Sequence, residues 1–151
     1  MNIIQGDLIK LALAGRFDVI VHGCNCFCTM GAGIAKAIKS EFPEAYEADC
    51  QTENGTKNKL GNYSHATVVK HGNEITVINA YTQHDYSGPG MKADYEAIRS
   101  VFRKIKSDYS GKRIGYPKIG AGLAGGDWEI ISTIIDEELM DEDHTLVVFS
   151  A

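Results

Sequence analysis

Short apolar runs rich in valine and isoleucine alternate along the chain with segments in which apolar residues recur at helical spacing. The run at residues 17–22 is apolar at nearly every position, which is typical of a central strand covered on both faces. The clearest helical stripe lies within residues 91–107, where Tyr95, Ile98, Val101, Phe102 and Ile105 share one face. This alternation predicts an α/β fold with helices layered on a largely parallel sheet.

The predicted elements follow one another without a repeat, linker or low-complexity segment, which favours a single domain over residues 1–151. His71-Gly72-Asn73 separates two β-rich runs and is typical of a hairpin turn, so one antiparallel pair is expected in the sheet. The sequence therefore predicts a three-layer α/β/α domain with a six-stranded mixed sheet. Strands are predicted at residues 2–5, 17–22, 63–70, 74–81, 113–116 and 145–149, and helices at 8–14, 31–40, 43–52, 91–107 and 128–140.

The charge of the chain bears on its partners. Lysine and arginine number 15 against 20 aspartate and glutamate residues, the net charge is -5, and the basic residues do not cluster. Tight binding to duplex nucleic acid needs a concentrated basic face that displaces phosphate counterions, so this class of partner is not expected. A small anionic ligand remains compatible, because backbone N–H groups can bind phosphate even in an acidic protein.

The amino terminus lacks the basic and apolar regions of a signal peptide, and no apolar run approaches the roughly 20 residues of a membrane span. A cytoplasmic protein without membrane contact is therefore expected. Since cytoplasmic thiols are normally reduced, we expect Cys24, Cys26, Cys28 and Cys50 to be free. The Cys-x-Cys-x-Cys spacing lacks the usual interval between zinc ligands, which favours buried thiols over a zinc site with His22. No metal or other cofactor is expected.

Two glycine-rich loops each follow a predicted strand and precede a predicted helix. The first is Cys28-Thr-Met-Gly-Ala-Gly-Ile34, and the second is Lys118-Ile-Gly-Ala-Gly-Leu-Ala-Gly-Gly126. Ligands of open α/β sheets collect at the carboxyl ends of strands, where glycines and helix N-termini let backbone N–H groups approach a phosphate. One such loop could be a tight connection only, but two in this arrangement predict a diphosphate clamp. Neither loop has the ending of a P-loop or the Rossmann spacing.

Three motifs in their order and spacing resemble the macrodomain family. They are Gly6-Asp7-Leu8, Asn25 followed by Met30-Gly-Ala-Gly-Ile-Ala35, and Pro117-Lys-Ile-Gly-Ala-Gly-Leu123 ending in Gly126-Asp-Trp128. The likeness covers nearly the whole chain, and it is strongest toward the branch that contains ADP-ribose 1''-phosphate phosphatases and small de-ADP-ribosylating macrodomains. The resemblance implies ADP-ribose or ADP-ribose 1''-phosphate as the ligand. The ligand-binding residues that it implies are Asp7, Leu8, Asn25, Gly31, Ala32, Gly33, Ile34, Gly120, Ala121, Gly122, Leu123, Ala124, Phe149 and Ser150.

The same resemblance implies where each part of the ligand lies. Asp7 would accept a hydrogen bond from the adenine amino group, the backbone N–H of Leu8 would lie beside it, and Phe149 or Ser150 would border the base. The first glycine loop would line the distal ribose and a phosphate, with Asn25 touching that ribose. The second loop would wrap the diphosphate.

Hydrolysing members of this family often carry a lysine close to the position of Gln83 and an aspartate close to the position of Ala124. Neither residue of this chain can take over those roles. The resemblance therefore does not imply a lysine-dependent, covalent release of ADP-ribose from protein or DNA.

Three candidate catalytic residues each have a structural alternative. Asn25 could orient the ribose or a water molecule, or it could brace its own loop. His22 could act as an acid or base, or it could be a neutral, hydrogen-bonded core histidine. Asp127 could act at the distal ribose or cap the following helix, and Asp7 likewise combines the adenine role with that of a helix cap.

Three functions agree with these features. The first is hydrolysis of the 1''-phosphate of ADP-ribose, with loop N–H dipoles stabilising charge in the transition state. The second is a non-catalytic module that recognises free or protein-linked ADP-ribose. The third is a hydrolase of ADP-ribosylated macromolecules or of O-acetyl-ADP-ribose. A monomer is expected in each case.

Overall fold

The strands are β1 (Asn2–Gly6), β2 (Val19–Cys24), β3 (Tyr63–Lys70), β4 (Asn73–Tyr81), β5 (Ile114–Tyr116) and β6 (His144–Phe149). The structure is a computed structural model that describes residues 1–86, 88 and 90–150. Within these residues the strands form one six-stranded sheet in the order β1-β6-β5-β2-β4-β3. Neighbouring strands run parallel except β3 and β4, which are antiparallel. The predicted six-stranded mixed sheet is therefore confirmed.

Helices cover both faces of this sheet. They are α1 (Leu8–Leu13), α2 (Gly33–Glu41), α3 (Pro43–Cys50), α4 (Tyr95–Tyr109) and α5 (Trp128–Glu138), with a 3-10 turn at Lys57–Lys59. On β2, Val19 and Val21 pack into the core beneath α4 and α5, whereas Ile20 packs into the core beneath α1, α2 and α3. The α/β/α layering thus follows from the apolar character of both faces of the central strand. No helix among the described residues is long and apolar enough to cross a membrane.

The helix predicted at residues 91–107 begins later than expected. Asp94 has an extended backbone, and its side chain accepts a hydrogen bond from the backbone N–H of Ala97, so the helix starts at Tyr95. Residues 91–94 instead return along the end of β4, where Ala93 forms a β-bridge with Gln83. Aspartate is a preferred N-cap residue, and that preference ends the helix here. The returning segment becomes one wall of the site described below.

The helix predicted at residues 31–40 also begins two residues later, at Gly33. Ala32 has extended backbone angles and makes no side-chain cap hydrogen bond. Gly31 and Ala32 therefore belong to the loop after β2 rather than to a helix. Because β2, β4 and β5 are parallel neighbours, the loops that follow them meet at one edge of the sheet.

Candidate functional site

A cavity of about 340 Å³ lies between the loops that follow β2, β4 and β5. Its volume falls within the range of about 300–1,000 Å³ that is usual for small-molecule sites. The structure brings most of the predicted ligand-binding residues of the two glycine loops to its wall. These residues are Asn25, Gly31, Ala32, Gly33, Ile34, Gly120, Gly122, Leu123 and Ala124.

The other predicted ligand residues lie outside this cavity wall. Asp7 and Leu8 follow β1, and the Asp7 side chain accepts a hydrogen bond from the backbone N–H of Lys10, which caps α1. Phe149 ends β6 with 74% of its surface exposed, and the Ser150 N–H donates to the Gly6 carbonyl. These residues share the sheet edge with the cavity, on strands to one side of it. Ala121 lies within the second glycine loop but packs toward the core.

Asn25 lies on the cavity wall, and its side chain also braces the first loop. Its Oδ1 accepts a hydrogen bond from the Phe27 N–H at 2.8 Å, and its Nδ2 donates to the Thr29 hydroxyl at 2.7 Å. The two alternatives considered for Asn25 are thus compatible, because an amide has two N–H donors and only one contacts Thr29.

Backbone hydrogen bonds to Cys26 hold the first loop against its neighbours. The Cys26 N–H donates to the His84 carbonyl, while the Cys26 carbonyl accepts from the Gly55 N–H and from the Lys59 ammonium. Cys26 itself is fully buried. The loop carrying Asn25 is therefore fixed between the segment after β4 and the 3-10 turn.

The second glycine loop closes on itself. The Gly126 N–H donates to the Gly120 carbonyl at 2.7 Å, and a Cβ at position 126 would lie 2.6 Å from that oxygen. Glycine is required there for this close approach. The Ala124 carbonyl accepts hydrogen bonds from the N–H groups of Lys92 and Ala93. The loop is thereby attached to the returning segment that precedes α4.

His22 lies outside the cavity wall and is fully buried in the sheet. Its Nε2 donates to the Asn79 Oδ1 at 2.7 Å, and Asn79 in turn donates to the Ala45 carbonyl. Burial is the main reason that the pKa of His22 falls from 6.5 to about 4. The imidazole is therefore neutral and structural near pH 7, and the geometry argues against the acid–base alternative.

The depressed pKa of His22 predicts acid destabilisation. The unfolded chain binds a proton at His22 below pH 6.5, whereas the folded chain does so only near pH 4, so acid favours unfolding between these values. We expect this group to lower the free energy of unfolding by roughly 2 kcal/mol between pH 7 and pH 5. Urea denaturation of wild type and His22→Gln at both pH values measures the difference, and equal losses in the two proteins would contradict it.

Asp127 is exposed and caps α5. Its Oδ1 accepts a hydrogen bond from the Glu129 N–H, and its own N–H donates to the Tyr95 hydroxyl. The side chain does not line the cavity. The capping alternative therefore accounts for Asp127.

The cavity also contains charged residues that the sequence patterns did not indicate. Asp49 of α3 lines the cavity although only 1% of its surface is exposed. Its carboxylate accepts a hydrogen bond from the Tyr81 hydroxyl at 2.6 Å and lies 3.8 Å from the Lys59 ammonium. Burial raises the pKa of Asp49. Lys92 also lines the cavity. No local motif marks these two residues, because each is brought to the cavity by tertiary folding.

The expectation of four free thiols was wrong for Cys28 and Cys50, which form a disulfide. Helix α3 packs back on the first glycine loop and places the two Cα atoms 5.4 Å apart, although 22 residues separate them in the chain. Spacing among the three neighbouring cysteines gave no sign of this long-range pair. Cys24 and Cys26 are free and buried, and burial raises the pKa of both thiols, which makes them poor nucleophiles.

Cys50→Ser is expected to lower the free energy of unfolding by about 3 kcal/mol, because the disulfide restricts the unfolded chain. Urea denaturation with and without dithiothreitol measures this loss. Reductant should destabilise wild type by a similar amount and leave Cys50→Ser unchanged. A wild type insensitive to reductant would contradict the prediction.

A second groove of about 470 Å³ lies at the opposite edge of the sheet. The Arg113 guanidinium forms hydrogen bonds with both carboxylate oxygens of Asp18 there. Among the described residues, two glycine loops do not meet in this groove, and the charges of Asp18 and Arg113 are already paired with each other. The cavity at the carboxyl ends of the strands is therefore the better candidate site.

Similarity to known proteins extends over most of the chain. A family model described as "Macro domain" matches residues 21–135. The chain is 38% identical over 138 residues to an "Uncharacterized 17.5 kDa protein in tk-vs intergenic region" of Enterobacteria phage T4, covering 88% of this chain and 86% of that protein.

Two further relatives carry names that describe an activity. An ADP-ribose 1''-phosphate phosphatase of Candida albicans is 28% identical over 144 residues, covering 89% of this chain and 90% of that protein. The ADP-ribose glycohydrolase OARD1 of Bos taurus is 27% identical over 150 residues, covering 97% of this chain and 89% of that protein.

Solved structures support the fold. A protein of unknown function from Bacteroides thetaiotaomicron aligns with a TM-score of 0.77 and 27% identity, covering 99% of this chain and 97% of that one. Thermosipho africanus DarTG in complex with ADP-ribose aligns with a TM-score of 0.76 and 19% identity, covering 97% of this chain and 40% of that one.

Proposed function

This chain belongs to the macrodomain family, and on that basis we propose that it binds ADP-ribose 1''-phosphate and hydrolyses it to ADP-ribose and phosphate. The observation that carries the proposal is the cavity between two glycine loops at the carboxyl ends of β2 and β5. Relatives named for ADP-ribose phosphatase and glycohydrolase activities support this class of ligand.

The two loops would hold the diphosphate by backbone N–H groups. Gly31 and Gly122 both lie on the cavity wall, and neither has an atom within 3.5 Å of the position that a Cβ would take. A phosphate can therefore approach the main chain closely at both places, and fixed N–H dipoles would stabilise charge in the transition state.

In the proposed reaction, Asn25 orients the distal ribose or the attacking water. Water adds to phosphorus and the bond between phosphorus and the 1''-oxygen breaks. A proton released by the water ends on that oxygen, so that the products are ADP-ribose with a free 1''-hydroxyl and inorganic phosphate. His22 is buried away from the cavity and Asp127 caps a helix, so neither of them carries out the proton transfer. Positioning of substrate and water then supplies much of the rate enhancement.

Asp7 and Leu8 would bind adenine at the ends of β1 and β6, beside Phe149 and Ser150. Asp7→Ala should weaken ADP-ribose about tenfold but leave ribose 5-phosphate binding within about twofold, because only the first ligand carries adenine. Calorimetric titration of both ligands measures this. An equal loss for the two ligands would limit Asp7 to its role as the cap of α1.

A substrate panel tests the proposed activity. Purified protein is incubated with ADP-ribose 1''-phosphate, O-acetyl-ADP-ribose and ADP-ribosylated protein, with and without a chelator. Phosphate release confined to the first substrate, and unaffected by the chelator, is the expected result. Release of acetate or of protein-linked ADP-ribose instead would favour the other hydrolase class.

One observation favours a non-catalytic ADP-ribose-binding module as the second candidate. Among the described residues, Asp49 is the one carboxylate on the cavity wall, no imidazole lies there, and Asp49 is engaged by Tyr81 and Lys59. Binding of ADP-ribose without turnover of any member of the panel would support this alternative.

A further inference from the structure

The cavity wall carries charged side chains of both signs. Among the described residues they are Asp49, Lys92 and Lys118. The carboxylate of Asp49 is balanced by Lys59 and accepts the Tyr81 hydroxyl. Positive charge for an anionic ligand therefore comes from the two lysines.

Lys92 has a more defined position than Lys118. Its backbone N–H donates to the Ala124 carbonyl at 2.7 Å, and the neighbouring Ala93 bridges to Gln83. Its side chain is 17% exposed, and its ammonium lies 3.2 Å from a carboxylate oxygen of Asp85. Lys118, in contrast, is exposed at the start of the second glycine loop.

The sheet order places Lys92 at the end of the site that is remote from Asp7. Asp7 follows β1, whereas the Lys92 ammonium pairs with Asp85 in the segment that follows β4, four strands away in the sheet. Four strand spacings correspond to about 19 Å, a span comparable to an extended dinucleotide-like ligand. With adenine at Asp7, this span would put the ammonium of Lys92 near the distal ribose.

We propose that Lys92 is a specificity-determining residue that favours ligands with a phosphate on the distal ribose over ligands with a free hydroxyl there. To bind this phosphate, the Lys92 ammonium gives up its ion pair with Asp85. The inference rests on the proposed binding mode of ADP-ribose. A phosphate monoester carries close to two negative charges at neutral pH, which the free hydroxyl lacks. A lysine ammonium on a flexible side chain can leave a half-exposed carboxylate for this stronger anion.

The experiment measures the affinity of each variant for ADP-ribose 1''-phosphate and for ADP-ribose. Both ligands displace a fluorescent ADP-ribose analogue, and the signal is taken at the first time point, before hydrolysis. Lys92→Met should lower the preference for the phosphate ester about tenfold, because a charge-assisted contact is lost. Lys92→Arg should keep the preference within about twofold, and Asp85→Asn should increase it.

Lys118→Met is the matched control, since it removes the same charge from the same cavity. It should weaken both ligands by similar factors and leave their ratio unchanged. The role of Lys92 is overturned if Lys92→Met leaves the ratio of the affinities for ADP-ribose 1''-phosphate and ADP-ribose unchanged. It is also overturned if Lys118→Met lowers this ratio as much as Lys92→Met does. Binding of the ester by wild type without phosphate release contradicts the phosphatase proposal alone, and failure to bind either ligand contradicts both.

Discussion

Gly122→Glu is expected to weaken ADP-ribose binding about 1,000-fold while leaving the protein folded. Gly122 lies on the cavity wall, a Cβ there would have no atom within 4 Å, and its φ is outside the left-handed region. The larger side chain therefore fits the fold. Its carboxylate would stand in the proposed diphosphate site and repel the phosphates. Calorimetric titration with ADP-ribose measures the loss of affinity.

Gly122→Gln separates charge from volume, because glutamine has nearly the shape of glutamate. We expect a smaller loss of affinity for Gly122→Gln and a melting temperature close to that of wild type for both variants. If Gly122→Glu bound ADP-ribose as tightly as wild type, the second glycine loop would not be the diphosphate site.

Asn25→Ala should lower kcat on ADP-ribose 1''-phosphate about 100- to 1,000-fold, the usual cost of removing one donor that acts in a transition state. The affinity for ADP-ribose should fall by no more than about threefold, because backbone groups of the loops supply most contacts. Steady-state kinetics together with titration of ADP-ribose separates the two effects.

The bracing role of Asn25 requires a second variant. Asn25→Asp keeps an oxygen that can accept from the Phe27 N–H but removes the donor to Thr29. Low turnover in both variants with normal melting temperatures supports a role in the reaction. Normal turnover in Asn25→Ala would remove Asn25 from the mechanism.

The hydrophobic pattern predicted which strands and helices form better than it predicted the residues at which they begin and end. Buried strands such as β2 are apolar on both faces, and this property is local enough to be recognised in sequence. The start of α4 was misplaced because helical periodicity was extended across Asp94, whose side chain ends the helix as an N-cap. Pairing of Ala93 with Gln83 depends on tertiary folding, which periodicity does not encode.

The glycine loops of the site could be predicted because glycine-rich segments between strand and helix have a direct physical meaning. Asp49 and Lys92 could not, since each reaches the cavity from an element with no motif of its own. The Cys28–Cys50 pair was missed for the same reason, as α3 brings Cys50 to the loop from a distant position. His22 was a candidate because an imidazole near the distal ribose could act as an acid or base near neutral pH. Its complete burial supports the other alternative, a hydrogen-bonded core histidine.

The most direct test of the central claim is calorimetric titration of wild-type protein with ADP-ribose. The cavity between the two glycine loops predicts saturable binding of one ADP-ribose per chain, with a Kd of about 1 mM or tighter. Absence of saturable binding in that range would contradict the claim that this cavity is an ADP-ribose site.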